Sequence, residues 1–312
     1  MSCKICQSNK AKVIRNKLRY DVKRDVLKCE DCGFVYLADF GKIDFYQGEE
    51  YRKNYGPNLN KISSCQEIFD TYLPFQAEMI KEIESALRPD SKVLDLGCST
   101  GHFLAALKDK VGLRVGLELN QAQVLFIRER LDFKVYDQPI EAVEIVEGPF
   151  DVITSFQVLE HIKDPLKFLQ AAAKNLKPGG YLYIEVPNLN DALLSVYKIK
   201  GYEDFYYREP HLSYFDERSF KKLLDQAGFE GEIKTVQRYN IFNHLNWLLT
   251  GQPQGEFSQG NNDPVLVQSH EVNEEVKDDL NKFIKSVNEN YKELLNKHKL
   301  GENLSFLGKR FN

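Results

Sequence analysis

Residues 93–104 read Val-Leu-Asp-Leu-Gly-Cys-Ser-Thr-Gly-His-Phe-Leu, and no other stretch constrains the fold as strongly. The apolar run Val93 to Leu96 suits a buried strand. Gly97 and Gly101 then interrupt it, and a helical pattern begins at His102. A strand that breaks into glycines and restarts as a helix is the opening unit of a nucleotide-binding α/β fold. Glycines at such a turn permit a sharp reversal and a close approach of ligand to main chain. Asp95, at the strand's end, is placed to anchor the turn's amides.

A second apolar strand, Leu113 to Leu117, ends on Glu118. An acid about twenty residues beyond such a turn is where a ribose hydroxyl is held. NAD and S-adenosylmethionine both carry a ribose. The turn Gly-Cys-Ser-Thr-Gly lacks the G-x-G-x-x-G spacing of a pyrophosphate cradle, which favours S-adenosylmethionine. The alternation then continues. A helix is predicted over 121–130, a strand over 133–136 and another over 150–155. Asp164-Pro165 reads as a helix start, with Asp as the cap and Pro in the first turn. Leu176-Lys177-Pro178-Gly179-Gly180 reads as a break before a strand over 181–186. A further helix is expected over 217–226 and a strand over 232–239. Strand–helix alternation implies a parallel sheet with helices on both faces and ligands at the carboxyl ends of the strands.

The segment Asp95-Leu-Gly-Cys-Ser-Thr-Gly101 resembles the first motif of class I S-adenosylmethionine-dependent methyltransferases. Phe150-Asp-Val-Ile-x-Ser-x-x-Val-Leu-Glu-His-Ile162 and Leu176-Lys-Pro-Gly-Gly180 resemble later motifs of small-molecule members, in the family's order, across about residues 90–187. The resemblance implies an α/β, Rossmann-like, doubly wound and mostly parallel seven-stranded sheet with an antiparallel final hairpin. It implies S-adenosylmethionine as cofactor. The contacts it implies come from Asp95, Gly97, Cys98, Thr100, Gly101, Glu118 and Leu119. Gln138, Pro139 and Ile140 would add to them after the third strand, and Phe156 and Gln157 after the fourth.

Four of the six cysteines form the pairs Cys3-x-x-Cys6 and Cys29-x-x-Cys32. Two such knuckles give a closed tetrahedral S4 site, the arrangement of a structural Zn2+ in a zinc ribbon. So small a unit cannot bury enough surface to fold without its metal. Nucleic-acid binding by the ribbon is disfavoured by Glu30, Asp31 and Asp39 and by a net charge of −4. No signal-peptide pattern opens the sequence and no apolar run is long enough to span a bilayer, so a cytoplasmic protein without membrane insertion is expected.

The domains expected are a zinc ribbon over 1–36, a connector with N-terminal helices over 37–89, the methyltransferase core over 90–240 and a C-terminal substrate-cap and helical extension over 241–312. The connector's tyrosines, with Phe45, read as a packed linker or a lid. One long helix is expected from Ile62 to Leu87. The amphipathic stretch 272–295 is expected either to pack on its own domain or to form a homodimer contact.

Histidine is the natural base near neutral pH. His211, after the fifth-strand loop, is the first candidate, with Glu209 to orient it. His161, after the fourth strand, is the second, and His244 the third. Tyr207, Tyr214, Arg238, Asn243, His244 and Trp247 are candidates for holding a substrate. The segment 238–253 resembles one in zinc-ribbon methyltransferases encoded with bacterial surface-polysaccharide enzymes. That resemblance implies O-methylation of a sugar, nucleotide-linked or part of a surface glycan. Sugar C-methyltransferases with an N-terminal zinc site carry a Glu and a His in a related place, so C-methylation of a keto-sugar stays open. A methyltransferase guided to RNA or protein by its ribbon is the third reading.

Overall fold

The computed structural model describes residues 2–39 and 63–311. The connector residues Phe45, Tyr46, Tyr51 and Tyr55, read above as linker or lid, lie outside them. The described strands are β1 (Ala11–Lys17), β2 (Lys23–Cys29), β3 (Val35–Leu37), β4 (Lys92–Leu96), β5 (Leu113–Leu117), β6 (Lys134–Tyr136), β7 (Phe150–Phe156), β8 (Leu176–Pro187), β9 (Ser213–Tyr214), β10 (Phe229–Val236) and β11 (Asn303–Arg310).

The main sheet has the order β10-β11-β8-β7-β4-β5-β6. Five neighbouring strands, β8 to β6, run parallel, and β11 lies antiparallel between β10 and β8. This is the expected mixed α/β, Rossmann-like fold. The middle of its five parallel strands is β4, where Val93, Leu94 and Leu96 have no exposed surface. Strands so placed are covered on both faces, which is why they read as near-continuous apolar runs.

The seventh strand corrects the expected domain division. It is drawn from residues 303–310, inside the stretch assigned to the extension, and not from a hairpin directly after β10. Leu304 and Phe306 are buried on it. The long insertion between β10 and β11 hides the pairing in sequence but adds little to its cost, because loop-closure entropy grows only logarithmically with length. The strand before it ends at Val236, earlier than expected.

The helix expected from Ile62 to Leu87 is broken. Its parts are helices Cys65–Tyr72 and Gln76–Ile83, separated by a 3-10 turn at Leu73–Phe75 and followed by another at Glu84–Ala86. Pro74 has no N–H to donate and its ring crowds the preceding turn. Helices Gln121–Arg130 and Glu217–Gln226 begin and end where the sequence placed them. Asn120 and Asp216 cap them through their side chains. The C-terminal helix runs from Glu274 to Lys297. Leu176 to Gly180, expected as a break, forms the start of β8, with a register shift against β7.

A smaller sheet has the order β1-β2-β3-β9. Its fourth strand comes from the core: Val35 pairs with Tyr214 and Tyr36 with Ser213. The N-terminal unit also shares a hydrophobic core with the rest of the molecule. Cys3, Ile5, Phe34 and Tyr36 cluster with Phe215 and Phe220, and the Phe34 and Phe215 ring centroids are 5.4 Å apart. Among the described residues, no helix is long and apolar enough to cross a membrane.

Candidate active site

The turn after β4 is held by its own chain. The Gly97 and Cys98 amides donate to the Leu117 carbonyl at 2.7 and 3.0 Å. The Ser99 amide donates to one oxygen of Glu118 at 2.9 Å, and the Asn120 amide to the other at 2.8 Å. Glu118, and not Asp95, is therefore the carboxylate that anchors the turn. Asp95 is buried beneath it and accepts a hydrogen bond from the Thr154 hydroxyl at 2.8 Å. Burial, with a smaller push from the Glu118 charge, raises the Asp95 carboxyl to about 7.

Gly97 and Gly101 have φ of +77° and +79°, conformations that side chains rarely adopt. A Cβ on Gly97 would sit 2.4 Å from Val158, and one on Gly101 would sit 2.7 Å from Phe133. The glycines thus leave room for the Val158 and Phe133 side chains beside the turn. Thr100 is buried, with its hydroxyl 3.1 Å from His102 Nδ1. Cys98 is buried and burial pushes its thiol well up.

Leu119 is 41% exposed beside this turn. Gln138 and Pro139 follow β6 at the same carboxyl edge of the sheet, with Ile140 buried behind them. The Phe156 ring is packed between Phe103 and Tyr183, at centroid distances of 4.8 and 5.2 Å. Gln157 donates from Nε2 to Asn303 Oδ1 at 3.1 Å. The sequence-predicted residues thus gather on one edge, but Phe156 and Gln157 are engaged with the protein itself.

Beyond β7 the structure assembles a group that the sequence did not resolve. Glu160, His161 and His211 present ligand or proton-binding atoms that all lie within 4.8 Å of one another. His161 Nε2 is 3.7 Å and His211 Nε2 3.9 Å from Glu160 Oε1. His161 Nδ1 lies 2.8 Å from the Pro210 carbonyl oxygen. A carbonyl only accepts, so Nδ1 carries the proton and Nε2 the lone pair. His211 is different. It is 2% exposed, and Arg208 Nε donates to its Nε2 at 2.9 Å. Such a set of atoms can share a proton or hold a divalent cation. Burial, aided by the Arg208 charge, keeps His211 well below its ordinary value. Burial lowers His161 to about 4.

Glu209, expected to orient His211, instead pairs with Arg24 of the N-terminal unit at 2.9 Å. Glu160 lies 3.9 Å from His211 Nε2 instead. Glu160 sits inside the Val-Leu-Glu-His-Ile motif, so the signal was present in the sequence, but only folding brings it to His211. Arg208 carried no such signal.

Among the described residues neither Glu160 oxygen has a hydrogen-bond partner, and burial pushes its carboxyl up to about 8. The unfolded value is about 4.3. Because the folded value is the higher, this group's stabilisation is full below the unfolded value and is lost as pH rises through the folded one. Thermal denaturation of Glu160→Gln is therefore expected to show a smaller fall in Tm between about pH 4 and 8 than the wild type shows.

The residues expected to hold a substrate are largely interior. Tyr207 and Tyr214 are buried, and the Tyr214 hydroxyl accepts from the Arg208 amide at 3.0 Å and lies 3.1 Å from the Arg208 carbonyl. Trp247 packs against Tyr202 and Phe205. Asn243 donates to Gln254 at 2.9 Å. His244 has Nδ1 2.7 Å from the Tyr291 hydroxyl and Nε2 3.2 Å from Gln237. Arg238 forms a buried ion pair with Glu185. The rings of Tyr207, Tyr214 and Trp247 pack against neighbouring aromatic rings.

At the other end of the molecule, Cys3 Sγ is 3.5 Å from Cys32 Sγ and Cys6 Sγ 3.5 Å from Cys29 Sγ, and all four sulfurs lie within 4.8 Å of one another. A tetrahedral zinc with ~2.3 Å bonds places its sulfurs about 3.8 Å apart. The donor set and spacing fit such an ion.

A family model described as "Methyltransferase domain" matches residues 70–232, just over half of the chain. The chain belongs to this methyltransferase family. It is an S-adenosylmethionine-dependent methyltransferase, and the matched region contains the β4 turn, Glu118 and the Glu160 group but not the four cysteines. The methyltransferase is 30% identical over 160 residues to a protein of Aliivibrio fischeri named ubiquinone biosynthesis O-methyltransferase, covering 48% of this chain and 68% of that one. A protein of the same name from Thiobacillus denitrificans is 31% identical over 160 residues, with the same coverage. Among solved structures, a SAM-dependent methyltransferase from Archaeoglobus fulgidus superposes with a TM-score of 0.50 at 19% identity, over 78% of this chain and 97% of that one. That likeness concerns the fold.

Proposed function

We propose that this methyltransferase transfers the S-methyl group of S-adenosylmethionine to a hydroxyl oxygen of a small molecule. The β4 turn and Glu118 hold the adenosyl end of the donor. Gln138, Pro139 and Ile140 border the adenine. Transfer is an in-line displacement in which the sulfonium charge disappears. Alignment in a water-poor cleft supplies much of the acceleration, and a base removes the hydroxyl proton.

The observation that carries this reading is the protonation pattern of the Glu160 group. Pro210 sets the His161 tautomer so that Nε2 accepts, with Glu160 Oε1 3.7 Å from it. His161 therefore replaces His211 as the first choice of base. His211, whose Nε2 is taken by Arg208, positions the group. Burial favours the neutral imidazole, the form a base needs.

Oxygen is favoured over carbon for two reasons. The similar proteins are named O-methyltransferases. The Glu-His pair expected for carbon deprotonation is not formed, since Glu209 is held by Arg24. The acceptor class proposed is a hydroxyl-bearing small molecule. A sugar remains one member of it, without support from the buried aromatic rings. The four cysteines are proposed to hold a structural Zn2+, and the net charge of −4 disfavours a nucleic-acid acceptor. The test is a screen of phenols, catechols and nucleotide-linked sugars for a gain of one methyl group, with the site of methylation read by NMR. A product methylated on carbon would overturn the reading.

A further inference from the structure

The loop that carries the His161-setting carbonyl is held from both sides, and one side is the N-terminal unit. On the core side, the Leu212 amide donates to the Glu160 carbonyl at 2.8 Å, and Pro210 accepts from His161. On the other side, the Arg19 amide donates to the Tyr207 carbonyl at 2.6 Å and the Leu37 amide to the Leu212 carbonyl at 3.1 Å. Arg24 pairs with Glu209, and β3 pairs with β9 immediately after His211. Arg15 pairs with Glu203 at 3.1 Å and with Asp204, just upstream. Thus residues 207–214 are clamped along most of their length by β1, β2 and β3.

Those strands are in turn fixed by the cysteines. β2 presents Arg24 near one end and terminates at Cys29 at the other. The Cys29 amide donates to the Phe34 carbonyl at 2.9 Å, and the Gly33 amide to the Cys29 carbonyl at 3.0 Å, which sets β3 against β2 directly after Cys32. The path from the four sulfurs to Pro210 therefore runs through one short sheet.

We infer that the four-cysteine unit is a positioning element of the active site, holding the 207–214 loop so that Pro210 and His211 stay in register with Glu160 and His161. A merely separate module would lack the Arg24–Glu209 pair and would not share β9. The inference rests on the proposed base only for its effect on rate; the mechanical coupling stands apart from it.

The test uses the full-length, zinc-loaded protein with its cysteines intact. Arg24→Gln and Glu209→Gln are compared with wild type by hydrogen exchange, by S-adenosylmethionine affinity and by turnover. The amides of His211, Leu212 and Tyr214 are expected to exchange about tenfold faster in both variants, as befits loss of a partly buried charged hydrogen bond. The amides of Ser99 and Asn120, at the β4 turn, are expected to stay as protected as before, with cofactor affinity unchanged. Arg24→Lys, which keeps the charge, is expected to restore most of the protection. Removal of the metal by a chelator is expected to release the same loop amides together with β1 to β3. Unchanged protection at 211–214 would overturn the inference. So would an equal rise at Ser99 and Asn120, since the unit would then stabilise the whole fold rather than the loop. Loosened loop amides with unchanged kcat would leave the coupling standing and remove the base assignment instead.

Discussion

His161→Ala is expected to lower kcat by about 10²–10⁴-fold, the usual contribution of a positioned general base. The affinity for S-adenosylmethionine is expected to stay near wild type, because the ring lies beyond β7 and not at the Glu118 turn. The expectation follows from a tautomer. The Pro210 carbonyl accepts a hydrogen bond from His161 Nδ1–H, which makes Nε2 the ring's acceptor nitrogen. His211 cannot do the same while Arg208 donates to its Nε2. His211→Ala should therefore cost less than His161→Ala, acting through the position of its neighbours. Steady-state kinetics on an identified acceptor, with both variants beside the wild type, checks the order. A larger loss in His211→Ala would return the base to His211.

Removal of residues 300–312 is expected to abolish folding. β11 is not an edge strand: it lies between β10 and β8, with a run of paired residues on either side. Its loss would unpair both and expose the faces that Leu304 and Phe306 cover. Truncating Phe306 alone to Ala should cost about 3–5 kcal/mol, a large share of the roughly 5–15 kcal/mol that holds a typical domain. Soluble yield and the cooperativity of thermal unfolding are the measurements. A truncated protein that unfolds cooperatively and still binds S-adenosylmethionine would show that the strand is dispensable.

The parts of the fold visible in the sequence were those specified by neighbours in the chain. The β4 turn announced itself through its glycines and the apolar run before it. The limits of helices 121–130 and 217–226 are set locally, by the Asn120 and Asp216 caps and by Gly228 at φ +83°, each acting within a few residues of itself. What the sequence hid depends on distant partners. β11 belongs to a strand that precedes it by some sixty residues of insertion. β9 is two residues long and exists as a strand only because β3 lies beside it. The ranking of His161 and His211 turns on Pro210 and Arg208, which residue type alone does not place. Tyr207, Tyr214 and Trp247 read as candidate platforms, but an aromatic ring in a core and one in a binding cleft look alike in sequence. Pro74 was the exception, a local breaker whose effect could have been read directly.

The turn after β4, with the acid that follows β5, is proposed to grip the adenosyl part of the methyl donor. Calorimetric titration of S-adenosylmethionine into the wild type and into Glu118→Ala tests it most directly. The expected result is single-site binding that weakens by about 10–100-fold in the variant, the share of hydrogen bonds to a charged carboxylate. Equal affinity in the two proteins would contradict it.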